Sequence, residues 1–119
     1  MSNAFVGGEP IYSSLADDPV MGELVDMYVD GMLDRINAMQ QALASGDREA
    51  LRCAAHQTKG AAGSYGFDSL TDAAAALESA IRDGQPAETI QRLFDGLIQL
   101  CRRVCAGVDP AATQSHSPS

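Results

Sequence analysis

The stretch AAHQTKGAAGSYG, residues 54–66, decides how the chain is read. It is alanine-rich and free of proline, so it reads as helix, yet Gly60 and Gly63 sit inside it. Each glycine costs roughly 1 kcal/mol relative to alanine in a helix interior. The pair therefore costs roughly 2 kcal/mol against total stabilities of about 5–15 kcal/mol. Ala61 and Ala62 show that alanine is used freely in the same segment. Glycine on an outward face gives a large partner access to the backbone beside His56. The competing explanation is close packing against a neighbouring helix. It suits Gly60 better than Gly63, which lies nearer to His56 in angle and is the stronger access candidate.

Laid out at about 100° per residue, Leu51, Ala55, Thr58, Ala62 and Tyr65 fall within roughly 40° of one direction and form the core stripe. His56 lies about 140° from Leu51 on the same geometry and faces outward, with Arg52, Lys59 and Gly63 beside it. An exposed helical histidine is most often only a surface residue. The glycines and Lys59, which shares its face at i+3, favour a working imidazole instead. A neutral imidazole is a competent nucleophile near pH 7, because its reference pKa is about 6.5. If it attacks phosphorus, Lys59 can stabilise the phosphoryl oxygens as a point charge, and Arg52 adds longer-range help. Phosphoryl transfer asks a protein mainly for alignment and charge stabilisation.

Working outward, the flanking sequence supplies a bundle around this helix. Asp17-Asp18-Pro19 reads as the start of a first helix. Leu24, Tyr28, Met32, Ile36, Met39 and Leu43 form its apolar face, which Val25, Val29 and Leu33 widen. Ser45-Gly46-Asp47 ends it and caps the second helix, which runs over about 48–65 and stops at Gly66. Phe67 follows and folds back on the last turn. A third helix starts at Asp68/Ser69, carries Leu70, Ala73, Ala74, Leu77 and Ile81, and ends at Gly84. Pro86 opens a fourth with Ile90, Leu93, Phe94, Leu97, Cys101, Val104 and an outlying Val108. No segment alternates as a strand. Short connections predict an all-α, antiparallel up-down four-helix bundle, with room for a short extra N-terminal helix. The organisation expected is a flexible N-terminus at 1–14, the bundle at 15–108 and a disordered tail at 109–119.

Composition narrows the function. The chain has 119 residues and a formal charge of −8, with no basic run beyond Arg102-Arg103. Nucleic acid and anionic membranes demand clustered positive charge, so neither is a main partner. Three cysteines, an odd count, together with a start that lacks an export signal, predict reduced thiols in the cytoplasm. Cys101 and Cys105 read as small core hydrophobes.

Ala55, His56, Lys59, Gly60 and Gly66 match in place the pattern A-H-x-L-K-G-x-x-x-x-x-G. The segment resembles the signature of histidine-containing phosphotransfer (HPt) domains. The lead-in at residues 43–51 and the alanine-rich third helix with Leu77-Glu78 look like the same family. The resemblance covers about residues 15–106. It implies a phosphocarrier that takes a phosphoryl group from a receiver-domain aspartate and passes it to another, within a relay that begins at a hybrid sensor histidine kinase. By position, His56 is the phosphorylated residue and Lys59 the phosphate-stabilising one. Gly60, with Arg52 and Gly63, belongs to the face where a receiver docks. The resemblance implies no cofactor in this chain, Mg2+ on the partner receiver, no ATP site, and a monomer. One residue departs from it: Thr58 stands where the family has leucine. Its hydroxyl faces the core stripe and is expected to bond back to its own helix, with looser packing around it. Part of the first helix, with Met32, Arg35 and Met39, is expected to join the docking face.

Three other readings fit less well. A metal or haem bundle lacks ligands, since His116 is in the tail and no C-x-x-C-H is present. A hydrolase lacks a placeable partner for His56. A receiver-binding adaptor that carries no phosphate leaves the pairing of His56 with Lys59 unexplained.

Overall fold

A computed structural model of the chain describes residues 9–108. Five helices follow one another: α1 (Met21–Asp30), α2 (Met32–Ala44), α3 (Arg48–Ser64), α4 (Asp68–Arg82) and α5 (Ala87–Arg103). Helix α2 packs on α3, α3 on α4, α4 on α5, and α5 back on α2. These four close an all-α bundle, and α1 extends the α2 corner. No described helix is long and apolar enough to cross a membrane. The expected tail, 109–119, lies outside the described residues, as do residues 1–8 of the expected flexible N-terminus.

Two features correct the sequence expectation. The first is a break in the long first helix at Gly31, whose φ of −88° and ψ of 3° leave helical geometry. The hydrogen-bond ladder still crosses it, from Gly31 N to Met27 O and from Arg35 N to Gly31 O, both 3.2 Å. The result is a one-residue interruption between α1 and α2 with the ladder intact. Most of the expected apolar face is buried all the same. Val25, Tyr28, Met32, Ile36 and Met39 are buried, whereas Leu24 and Leu33 are exposed. Asp18 does act at the start, accepting from Val20 N and Met21 N at 2.8 Å each. These bonds hold its carboxyl below the usual range.

The second is a strand pair. Residues β1 (Ile11–Tyr12) and β2 (Val104–Cys105) lie parallel, Ile11 opposite Val104 and Tyr12 opposite Cys105. Val104 therefore leaves the last helix instead of extending its core face, and Val108 is exposed. Composition places residues 9–14 in the flexible N-terminus, but here they make specific contacts. Arg103 Nε donates to Glu9 O at 2.7 Å, Ser13 Oγ donates to Tyr65 O, and Ser14 N donates to Gly66 O at 3.1 Å.

Helix α3, which carries the site, is fixed at both ends. Asp47 caps its start by accepting from Ala50 N at 3.0 Å. At its end Gly66 adopts φ +82°, with Phe67 N bonded to Ala62 O (2.9 Å) and Gly66 N to Gly63 O (3.3 Å). This is the paired bonding of a Schellman stop. Phe67 then turns into the core, 1% exposed, beneath Tyr28. Tyr28 stacks on Tyr65 with ring centroids 4.8 Å apart. Cys101 is buried among the core residues, which pushes its thiol up to about 12, whereas Cys105 is half-buried in β2.

The Tyr28 hydroxyl is buried without a hydrogen-bond partner among the described residues. Burial, more than its neighbour Cys101, pushes the phenol up to about 12. An unsatisfied buried polar group costs about 1–3 kcal/mol. Tyr28→Phe keeps the ring stack and removes that group, so we expect unchanged or higher stability, by about 1 kcal/mol, in urea unfolding. A loss of that size would mean that the hydroxyl is satisfied.

Candidate functional site

Helix α3 turns its core stripe inward as its spacing requires: Leu51, Ala55, Thr58 and Ala62 are buried. His56 is thereby directed outward, and 62% of its side chain is exposed. The Thr58 hydroxyl donates to Ala54 O at 2.9 Å within its own helix and lies 3.6 Å from Met39 Sδ. Thr58 also lines a groove of about 410 Å³ between α2 and α3, together with Gly31, Asp34, Arg35, Ala54 and Gln57.

Glu78, on α4, organises the site. Its Oε2 lies 2.9 Å from His56 Nδ1, its Oε1 lies 2.8 Å from Lys59 Nζ, and Arg52 Nη1 lies 3.7 Å from Oε2. Only 7% of the Glu78 side chain is exposed. The Lys59 hydrogen bond holds its carboxyl below the usual carboxylate range against the opposing effect of burial, and the His56 contact adds to the lowering. Glu78 is therefore an anion at neutral pH. A carboxyl with a depressed pKa contributes stability above its unfolded value and loses it as pH falls through its folded value. The Glu78 carboxylate and its pair with Lys59 thus stay formed further into acid than a free carboxylate would allow.

An ionised carboxylate can only accept, so the ring hydrogen sits on Nδ1 in the neutral tautomer. The Nε2 lone pair then points away from Glu78. Nε2 has no hydrogen-bond partner among the described residues. Arg52 is held by Glu49 in a two-pronged pair, Nε–Oε1 3.1 Å and Nη2–Oε2 2.6 Å. That pair draws the Glu49 carboxyl down as well. Arg48 does not join the site: its Nη1 donates to Gln85 O at the far end of α3.

Both glycines of α3 are exposed, and Gly60 is the more open of the two. A Cβ at Gly60 would meet nothing within 4 Å, whereas one at Gly63 would touch Thr71 Oγ1 of α4 at 3.5 Å. Gly60 is the open position, one turn beyond His56, and Gly63 faces the neighbouring helix. Met32 and Met39 are core residues, 4% and 2% exposed, not surface ones. Arg35 is exposed and lies over the Tyr28 ring, 4.7 Å from its centroid. Among the described residues no group of three His, Cys, Asp or Glu side chains is placed to hold a metal ion.

Sequence reading quoted Glu78 as part of the family likeness and gave it no role. The available signal was a charged residue next to Leu77 on an alanine-rich apolar helix. Its use depends on how α4 is rotated against α3, which spacing within one helix does not contain.

The helical bundle thus holds a largely solvent-facing imidazole by one nitrogen, with two cations close by. A family model for the Hpt domain matches residues 23–107, and the chain belongs to that family. Membership gives it a phosphotransfer role in phosphorelays. No curated protein and no solved structure matches the chain.

Proposed function

We propose that His56 is the phosphoryl carrier, accepting the group on Nε2 from the aspartyl phosphate of one receiver domain and passing it to the aspartate of another. The observation that supports this is the split between the ring nitrogens: Nδ1 is 2.9 Å from Glu78, while Nε2 is unpartnered on a largely exposed side chain. The Nε2 lone pair attacks phosphorus. The N–P bond forms as the P–O bond to the receiver aspartate breaks, and the aspartate leaves as carboxylate. The Nδ1 hydrogen stays on the ring, so the positive charge that the ring acquires rests against Glu78. Lys59, its side chain 35% exposed, can turn from Glu78 to the arriving phosphoryl oxygens. Loss of the aspartyl phosphate and gain of the phosphohistidine balance without nucleotide, so the chain is a carrier and not a kinase. Mg2+ is assigned to the receiver. A cytoplasmic monomer that receives its phosphoryl groups from a hybrid sensor histidine kinase by way of that receiver completes the reading.

The test is transfer of radiolabel from phosphorylated receivers. Label should appear on this chain, be acid-labile and alkali-stable, and map to the tryptic peptide of residues 53–59, which holds His56 alone among histidines. Binding without label would favour the adaptor instead.

Glu78 should matter through His56. Behind a metal-bound histidine, loss of the orienting carboxylate typically costs 10–100-fold, and an imidazole that must present one nitrogen to phosphorus makes the same demand on orientation. Glu78→Ala should therefore slow single-turnover transfer by roughly that factor. Glu78→Gln, which keeps a hydrogen-bond acceptor but no charge, should fall between it and the wild type. Equal rates for all three would remove Glu78 from the mechanism.

A further inference from the structure

The α1–α2 corner carries an exposed apolar face that the bundle leaves uncovered. Val20, Leu24, Met27 and Gly31 recur at spacings of four, three and four, which places them on one side of the helix. Val20 is 71% and Met27 67% exposed. The side is continuous with the site, because Gly31 also lines the groove whose opposite wall is Ala54 and Gln57, the latter adjacent to His56. Beside this stripe runs a second row, Glu23, Asp26, Asp30 and Asp34, at spacings of three, four and four. None of the four forms an ion pair among the described residues, and Arg35, the single cation on α1 and α2, lines the groove beside Asp34 and lies over the Tyr28 ring. The cations nearest His56 offer no counterweight, since Arg52 and Lys59 are already joined to Glu49 and Glu78. The field that a partner meets on approach is therefore negative over an apolar strip. A second copy of this chain, itself at −8, would be repelled.

We infer that this flank selects its receiver by charge. The partner that fits is a receiver domain whose docking helix presents an apolar centre rimmed by lysine and arginine, with the basic rim set against Asp26, Asp30 and Asp34. The inference rests on the receiver-docking reading above and adds the chemistry that discriminates among receivers. Apolar contact supplies the affinity, and the carboxylates raise the rate of encounter and penalise acidic competitors.

A panel of receiver domains of graded docking-face charge, titrated against the full chain at 20 and 300 mM salt, tests it. His56→Gln is titrated in parallel, so that docking is read independently of phosphorylation. Basic-faced receivers should bind best, with association slowing at least fivefold at the higher salt. Asp26→Asn/Asp30→Asn/Asp34→Asn should slow association severalfold at low salt and flatten the salt dependence. Met27→Glu should weaken binding about tenfold. Labelling of His56 by the small donor phosphoramidate should be unchanged in both variants, which separates docking from chemistry. Salt-independent association, a preference for acidic receivers, or binding within twofold of wild type in both variants overturns the inference. If the charge-selected binding appears without phosphoryl transfer, the carrier reading fails and the docking surface stands.

Discussion

Replacing His56 with glutamine should abolish acceptance of label from a phosphorylated receiver, to the background of the assay, while leaving the fold in place. The reasoning is local. The side chain is 62% exposed and stands outside the core stripe of α3, so nothing packs on it that glutamine would disturb. Substitutions at such surface positions usually change stability by less than about 0.5 kcal/mol. Glutamine can also still donate to Glu78, keeping that buried carboxylate solvated by protein. What it lacks is a nucleophilic ring nitrogen. Helical circular dichroism and the unfolding midpoint should therefore match wild type while transfer is lost. A variant that labels as well as wild type would place the phosphoryl group elsewhere.

Substituting Gly66 should produce the largest loss of stability of any single change considered. A side chain there is strained by φ +82°, at about 1–2 kcal/mol for a non-glycine residue. Its Cβ would also stand 2.5 Å from Ser13 Oγ, 2.9 Å from Ser14 Oγ and 3.1 Å from Leu15 Cγ. The 13–15 segment would have to move, giving up its hydrogen bonds to Tyr65 O and Gly66 O at about 1 kcal/mol each. Gly66→Val is expected to cost about 3–4 kcal/mol in urea unfolding. Gly60→Ala is the contrasting case. Its Cβ meets nothing, its backbone is helical, and the change should stabilise by about 0.5–1 kcal/mol. Equal responses at the two glycines would contradict the assignment of Gly66 as a clamped turn.

The parts of the structure legible in the sequence are those set within one helix. The core stripe of α3, the outward direction of His56, the Asp47 cap, the Gly66 stop and the Thr58 back-bond to Ala54 all follow from spacing and local chemistry. What was not legible depends on how elements meet. Periodicity alone runs past the interruption at Gly31, because Met32, Ile36 and Met39 stay in phase on its far side. The Ile11–Val104 pairing joins segments from opposite ends of the described chain, and two residues are too few to alternate. That Gly60 is more open than Gly63 was not legible either, because the side on which α4 lies, and hence where Thr71 stands, is not a property of α3. Glu78 was in view but idle for the same reason.

The ion pair between Glu78 and Lys59 has a consequence for the resting carrier. Inorganic phosphate, sulfate and nucleotides that drift past find the ammonium already neutralised, so the empty module holds little attraction for loose anions of the surrounding solution. On the proposed function, a phosphoryl group held on the His56 ring is what would draw the lysine away from Glu78.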